Sequence, residues 1–539
     1  MKHRAFSASS TQLIVGTAVF LTLFANFALF RNLIDAFASA PWGYAHIASM
    51  AAVLLCALTF LLAVLCIGRA TKAVLVTLLM VSSVTAYFMD TYNVIIDSDM
   101  LHNAAATNAA EAGDLMSWRF ALYVLLLGVL PSALVVLIEH QRKALKTAVV
   151  SRAKLLAIPL VAAIGLMLLS SGFYASFIRE HKALRYYSNP ATPIYALFRF
   201  ADEHIAGASR PLQAIGTDAR IPAADIEREL IIMVVGETAR ADRFSLNGYQ
   251  RDTNPELAKR KVVSLSHVSA CGTSTAISVP CMFALSTRDD FDGKDALATE
   301  NALDVLKHAG VNILWRDNNS SSKHVADRVE TQDYRSPDNN TICDVECRDE
   351  GMLVGLQEYV DAHPSGDILI VLHQMGSHGP AYYKRYPDAY RKFTPTCDTS
   401  QLDDCAPETI GNAYDNTILY TDHFLSQAID FLKRNDSRFE TGLMYVSDHG
   451  ESLGESGLYL HGLPYFVAPE TQTHVPVILW FGANYEEADN DSLLAIRNEH
   501  LSHDHVFHTL LGMFEIESAV YDPQKDILQL ARSRNDPQK

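Results

Sequence analysis

The chain has 539 residues, 49% of them hydrophobic, and a formal net charge of −17. That length allows two or three domains, and the acidic balance excludes a nucleic-acid partner, which would need basic groups to neutralise phosphates. The averages conceal two unlike parts: residues 1–175 are dominated by apolar runs, and the rest reads as an acidic soluble protein.

Five segments are long enough to cross a hydrocarbon core, which takes roughly 17–25 residues. They are Leu13–Phe30, Ile47–Ile67, Ala73–Met89, Phe120–Ile138 and Leu155–Phe173. Lys2, Arg4, Arg69, Lys72, Arg142, Lys143, Lys146, Arg152 and Lys154 fall on one side of these spans. The opposite loops near the membrane carry Arg31 and Arg119; Arg179, Lys182 and Arg185 open a long domain, where charge weighs little on orientation. The positive-inside rule therefore places the N-terminus in the cytoplasm and, after an odd number of spans, the C-terminal half outside it. Ala38-Ser39-Ala40 resembles a signal-peptidase site, but the apolar core before it is too long for a signal peptide and four spans follow. Retention of the first span is expected.

Residues 176–228 mix rings with basic groups, among them Phe177, Arg179, Arg185, Tyr186, Tyr187, Tyr195, Phe198, Arg199 and Phe200. This composition suits helices at the membrane surface, and a partly ordered linker is the other reading. Residues 229–539 alternate short apolar runs with amphipathic stretches. Leu230–Val235, Val311–Trp315, Ile368–Leu372, Gly442–Val446 and Val475–Trp480 read as strands; Ala302–Ala309, Met352–Ala362 and Tyr414–Arg434 read as helices. The alternation predicts a largely parallel α/β sheet covered on both faces, with its ligand site beyond the carboxyl ends of the strands.

Cys56 and Cys66 lie in an apolar run and act as small hydrophobes. The other six fall as close pairs, Cys271/Cys281, Cys343/Cys347 and Cys397/Cys405. Spacing alone does not fix their connectivity, but local disulfides are expected on the oxidising side of a membrane, where topology independently puts them. Half of a metal site at Cys343 and Cys347 is the alternative, with no second pair to complete it.

Glu237 follows the first strand directly; His373 ends another, with Ser377 and His378 after it; Asp448-His449-Gly450 follows a third. Acidic and imidazole groups from distant segments thus gather at one sheet edge. The stretch Cys271-Gly272-Thr273-Ser274-Thr275-Ala276 leads into a helix whose N-terminus suits a phosphate or an alkoxide. A threonine hydroxyl is a poor nucleophile unless a base or a metal favours loss of its proton. Glu237, Asp448 and His449 with Thr275 make a mixed set that accepts Zn²⁺ or Mn²⁺. Otherwise Thr273, Ser274 and Thr275 merely cap a helix, while Glu237 and Asp448 sit in surface loops. His503, Asp504, His505 and His508 are expected to begin a helix rather than to ligate.

The stretches Val235-Gly236-Glu237-Thr238, Cys271–Cys281, Gly376-Ser377-His378-Gly379-Pro380, Ser447-Asp448-His449-Gly450-Glu451-Ser452 and Tyr459-Leu460-His461-Gly462 resemble the lipid A phosphoethanolamine transferases, the family of the mobile colistin-resistance enzymes. The resemblance spans nearly the whole chain. It implies a five-span α-helical transmembrane domain followed by an α/β alkaline-phosphatase/sulfatase-like periplasmic domain in the bacterial inner membrane, acting as a monomer. Thr275 is implied as the phosphorylated nucleophile, and Glu237, Thr275, Asp448 and His449 as ligands of one tight Zn²⁺. Lys323, His378 and His461 are implied beside the transferred phosphate, the two histidines as proton-transfer groups or a second, weaker metal position. Asn103, Thr107, Glu111 and Ser320 are implied to hold the headgroup of phosphatidylethanolamine, the donor, with lipid A as acceptor. The i, i+4, i+8 spacing of the first three predicts one helix face. Cys343 and Cys347 stand closer together than the resemblance leads one to expect. The nearest rivals are a transferase acting on a core sugar, a phosphoglycerol transferase, and a sulfatase or phosphatase, though the Cys/Ser-x-Pro-x-Arg motif of sulfatases is missing. A non-enzymatic membrane sensor is a further rival.

Overall fold

The first apolar segment is bent rather than straight. In the computed structural model, which describes residues 7–107, 109–141, 144–181, 183–207, 210–486 and 488–535, it forms helices α1 (Ser10–Phe24) and α2 (Phe27–Phe37), meeting at 54°. Asn26 sits at the break and explains it. Its amide donates to the carbonyls of Leu21 (2.9 Å) and Asn189 (2.8 Å), and its oxygen accepts the Asn189 N–H at 2.8 Å. The Asn189 amide in turn donates to the carbonyls of Ala25 (3.0 Å) and Ser82 (2.9 Å), and the Ala28 N–H donates to Asp90 at 2.7 Å. Backbone groups freed by a broken helix must be satisfied by protein where water is absent, and these side chains do so. Four further helices are long and apolar enough to span a membrane: α3 (Gly43–Leu65), α4 (Thr71–Tyr92), α7 (Trp118–Leu137) and α8 (Leu145–Leu169).

Between α4 and α7 lie α5 (Ser98–Ala106) and α6 (Ala109–Leu115). The expected single helix face for Asn103, Thr107 and Glu111 is therefore wrong: the helix ends before Thr107. The Thr107 hydroxyl donates back to the Asn103 carbonyl at 2.9 Å, the kind of local side-chain bond that competes with helix continuation. Lys2, Arg4, Arg142, Lys143 and Lys182, and the side chain of Glu111, lie outside the described residues. By internal packing the chain divides into one unit of Met1–Leu101 with Met116–Arg199 and a second of His102–Leu115 with Phe200–Lys539. Residues 176–207 are mainly helical, with α9 at Ser171–Glu180 and α10 at Ala191–Gly207.

The second unit is built on an eight-stranded sheet: β1 (Glu229–Gly236), β2 (Val263–Ser269), β3 (Asn312–Asp317), β4 (Glu330–Asp333), β5 (Ile368–His373), β6 (Glu440–Ser447), β7 (His474–Phe481) and β8 (Leu501–Ser502). The strand order is β8-β2-β7-β6-β1-β5-β3-β4. Every ladder is parallel except those of β7, which runs antiparallel to β2 and β6. In the central β1, Ile231, Met233 and Val235 enter one core cluster and Leu230, Ile232 and Val234 the other. That alternation, with all six side chains buried, is what a sheet covered on both faces requires. The register pairs Gly236 with Ser447, Val235 with His373, and Asp317 with His373. Four strand ends thus finish level, and the residues after them share one edge.

Helix α12 (Pro407–Asn435) covers one face, and its His423 lies between two carboxylates. Nδ1 is 3.0 Å from Glu256 and Nε2 3.0 Å from Glu350, with the Tyr390 ring 4.9 Å away between centroids. The hydrogen bond to Glu350, and then the one to Glu256, raises the His423 pKa. The same contact holds Glu350 below its usual range; at Glu256 burial opposes, but the Ser426 and His423 bonds prevail and lower it. The bridge is therefore complete between the ordinary carboxylate and imidazole values, roughly pH 4.3 to 6.5. It fades as pH rises through the raised His423 value, and again as pH falls through the lowered Glu values. His423→Gln should lower the melting temperature by about 2–4 °C at pH 6 and by clearly less at pH 8.5. Equal losses at both pH values would refute the charged bridge.

Candidate metal centre and active site

Thr275 is the first residue of α11 (Thr275–Phe283), at the positive end of its dipole. The loop before it is held from three sides. The Thr273 hydroxyl donates to the Leu463 carbonyl (2.7 Å), and the Gly462 N–H to the Thr273 carbonyl (2.8 Å). The Gly272 N–H donates to Ser278 Oγ (3.1 Å), whose own proton goes to the Asp448 carbonyl. The disulfide Cys271–Cys281 closes the turn; Cys343–Cys347 and Cys397–Cys405 are the other two bonds, as the local pairing predicts. Neither Ser274 nor Thr275 donates to or accepts from the helix start as a side-chain cap, so the capping alternative falls. The surface-loop alternative falls as well, because Glu237 is 1% exposed and Asp448 and His449 are 0% exposed.

Thr275 Oγ1 donates to Glu237 Oε2 at 3.0 Å and lies 3.4 Å from His449 Nε2. That nitrogen is 3.6 Å from Glu237 Oε1 and 3.4 Å from Asp448 Oδ2. A tetrahedral ion with ligand bonds of about 2.0–2.1 Å has ligand–ligand edges of roughly 3.3–3.4 Å, and the measured separations bracket that value. His449 Nδ1 donates to the Gly450 carbonyl at 2.9 Å, which turns the Nε2 lone pair toward the centre. Asp448 Oδ1 accepts the Thr238 N–H (3.1 Å) and the His449 N–H (2.7 Å), whereas its buried Oδ2 accepts no hydrogen bond among the described residues. Buried polar oxygens are rarely left so, and this one faces the other ligand atoms. Glu237, Asp448 and His449 form a group whose ligand atoms lie within 4.8 Å of one another, and His449, Glu451 and His461 form a second such group. The residues present therefore fit a metal.

Around the centre, Asn319 donates to Glu237 Oε2 (2.7 Å) and to the Gln374 carbonyl (2.8 Å). The buried Asp349 carboxylate accepts from Asn318 (2.8 Å) and from the N–H groups of Met375 (2.9 Å) and Gly376 (3.1 Å), shaping the loop that carries His378. Gly376 has a φ of +51°, and a Cβ there would stand 2.9 Å from the Glu237 carbonyl oxygen. At Gly450 a Cβ would meet the Thr471 carbonyl oxygen at an impossible distance. Lys323 is buried beside Ser320, to whose hydroxyl it donates. His461 Nδ1 is 2.9 Å from Glu451 Oε2, and Glu451 Oε1 accepts the Tyr382 hydroxyl at 2.8 Å. The His461 ring is 4.3 Å from that of His449 and 5.8 Å from that of His378. Burial first, then the neighbouring Arg385, holds the His378 imidazole well below its usual pKa, so it is neutral at pH 7. Three non-glycine residues at the rim, Thr238, Lys323 and Leu460, have φ of +51°, +49° and +63°. Such strain persists only where the surroundings enforce it, and it collects at working sites.

His503 begins the helical turn, as its sequence position suggests, and its ring has a further role. Ser502 supplies the cap, its hydroxyl accepting the Asp504 N–H at 3.3 Å. His505 answers the Ser502 N–H (3.2 Å), Asp504 accepts from the Arg288 N–H (2.8 Å), and His508 accepts from the Asp522 N–H (3.1 Å). His503, 1% exposed, accepts the Cys271 N–H at 3.1 Å and donates to the Ser447 carbonyl at 3.0 Å, tying the Thr275 loop to the strand that delivers Asp448. Burial pushes its pKa down to about 4, so it remains neutral. His503→Ala would strand two buried backbone groups, at roughly 1–3 kcal/mol each. Melting curves should show the loss, and kcat should fall about tenfold while bound metal is retained. Unchanged stability would refute this role.

Residues 229–516 match the sulfatase family model, and residues 54–205 match the model for the phosphoethanolamine transferases EptA/EptB. The chain is 42% identical over 533 residues to the phosphatidylethanolamine transferase Mcr-1 of Escherichia coli, covering 95% of this chain and 96% of that protein. It belongs to the phosphoethanolamine transferase family. Phosphoethanolamine transferase EptA of Salmonella typhimurium is 41% identical, with 84% of each chain covered. The integral membrane lipooligosaccharide phosphoethanolamine transferase A (EptA) of Neisseria meningitidis superposes with a TM-score of 0.91 at 34% identity, covering 97% of this chain and 98% of that one. This family member is accordingly a membrane-embedded phosphoethanolamine transferase with an α/β sulfatase-like domain.

Proposed function

We propose that Glu237, Thr275, Asp448 and His449 bind one Zn²⁺ tightly, and that Thr275 carries phosphoethanolamine from phosphatidylethanolamine to a phosphate of lipid A. The observation that carries this reading is the Thr275 hydroxyl, buried at a helix N-terminus within 3.0 Å of Glu237 and 3.4 Å of His449. Bound zinc would supply Lewis acidity to the hydroxyl and to the phosphate charge. Thr275 Oγ attacks the donor phosphorus, the bond from phosphorus to the diacylglycerol oxygen breaks, and that oxygen leaves with a proton. A lipid A phosphate oxygen then attacks the phosphoethanolamine-threonine, and Thr275 Oγ departs. Phosphoryl transfer asks mainly for positioning and charge stabilisation. Lys323 offsets phosphate charge, while His378 and His461, the latter oriented by Glu451, are placed for the proton transfers or for a second, weaker metal position. Asn103, Thr107, Glu111 and Ser320 hold the donor headgroup.

The basic loops support a cytoplasmic N-terminus with the catalytic domain in the periplasm, where the three disulfides are compatible with an oxidising compartment. One chain supplies every proposed ligand, so the reading requires only a monomer. Expression in a polymyxin-sensitive bacterium, followed by mass spectrometry of extracted lipid A, tests the whole proposal. Lipid A should gain phosphoethanolamine and colistin survival should rise. Phosphoethanolamine on a core sugar alone, or phosphoglycerol in its place, would overturn the acceptor or donor assignment.

A further inference from the structure

The segment His102–Leu115, which carries Asn103 and Thr107, belongs to the same unit as the metal centre and is held at both ends within it. At its start the His102 ring packs edge-on against Phe200, 4.7 Å between centroids. At its end Asp114, with an 11% exposed side chain, pairs with Lys384 Nζ at 2.5 Å and with Arg385 Nη2 at 3.0 Å. Arg385, 3% exposed, does more than neutralise Asp114. Its Nε donates to the carbonyl of His378 at 2.7 Å, and its Nη1 pairs with Glu346 in the loop closed by Cys343–Cys347. Arg348 completes the cluster, donating to the Lys384 carbonyl at 2.5 Å and pairing with Asp344 at 2.5 Å and Glu346 at 3.7 Å. The cations Arg348, Lys384 and Arg385 thus balance Asp114, Asp344 and Glu346. Removing one partner of a buried pair leaves its counterpart charged and uncompensated, which is costly.

We infer that Asp114 and Arg385 are a positioning pair: they fix the segment bearing the donor-headgroup residues in register with the loop bearing His378. This rests on the donor-binding reading of Asn103 and Thr107 given above. A single guanidinium contacts both parts, so a shift of the segment is transmitted to the backbone of a phosphate-side histidine. Neither residue touches the reacting atoms.

The test uses the full-length enzyme in detergent micelles with lipid A present as acceptor, and follows diacylglycerol release against phosphatidylethanolamine concentration. Asp114→Asn should raise KM about tenfold and change kcat less than about twofold. Asp114→Glu, which keeps the charge opposite Lys384 and Arg385, should recover most of the loss. Asp344→Asn, in the same cluster but in the disulfide loop, should leave KM unchanged. Hydrogen exchange of residues 103–115 should quicken in Asp114→Asn. Unchanged KM and exchange in that variant would overturn the pair, as would a fall in kcat that tracks lost thermal stability with KM constant. If wild type releases no diacylglycerol, the donor reading fails instead, and the exchange measurement alone decides whether the pair fixes the segment.

Discussion

Replacing Thr275 by alanine should reduce phosphoethanolamine transfer by roughly 10³-fold or more, the scale on which loss of a covalent nucleophile acts. The side chain is small, and its hydroxyl donates one hydrogen bond, to Glu237, so the fold should survive the change. Thr275→Ser keeps an oxygen in place but frees its rotation, and activity should fall by about tenfold rather than vanish. Incubating wild type with phosphatidylethanolamine and no acceptor should leave the headgroup on the peptide containing Thr275, seen by mass spectrometry after proteolysis. A variant lacking the hydroxyl that still forms the adduct, or that still modifies lipid A at the wild-type rate, would end the double-displacement mechanism.

Removing the metal should have an effect of similar size on activity and a second effect on stability. Glu237 and Asp448 are buried, 3.6 and 3.4 Å from His449 Nε2 and with their ligand oxygens within 4.8 Å of each other, so without a cation two carboxylates confront each other away from water. Dialysis against a chelator should abolish turnover and lower the melting temperature; returning Zn²⁺ should restore both. A ligand present at 100 times its Kd stabilises by about 2.7 kcal/mol, which sets the scale of the shift. Elemental analysis should find one tight equivalent of metal, lost in Asp448→Asn. Any second, weaker equivalent should disappear in His461→Ala, whose ring stands 4.3 Å from that of His449. Full turnover by metal-free protein is the outcome that cannot be reconciled with the proposed centre.

Much of the sheet was readable because buried strands of a parallel sheet are continuous apolar runs. The five expected strands all form, each within two residues of its expected limits. Those missed lie toward the edges. In β2 the sequence Val263-Ser264-Leu265-Ser266 alternates apolar and polar residues, a period-two signal unlike the continuous apolar runs of the central strands. Glu330–Asp333 and Leu501–Ser502 are too polar or too short to announce themselves. The site was legible where its residues directly follow strands, as Glu237 and Asp448 do. It was opaque where a contact depends on tertiary folding. Nothing near His503 signals that its ring will bridge the backbones of Cys271 and Ser447, and nothing near Asp114 signals Arg385. The antiparallel course of β7 has a local cause: residues 448–473 contain no helix longer than four residues, so no crossover helix returns the chain to make a parallel strand. That stretch instead carries His449, Glu451 and His461.

The break after α1 also bears on how the protein is made. Asn189 reaches back 164 positions to take the carbonyl of Ala25 and 163 to engage the side chain of Asn26. Until the ribosome has delivered that asparagine, the first apolar segment enters the bilayer with its kink unsealed. Biogenesis of the membrane unit is thus finished from its far end, and chains truncated before residue 189 should be cleared by quality-control proteases far faster than chains truncated just after it.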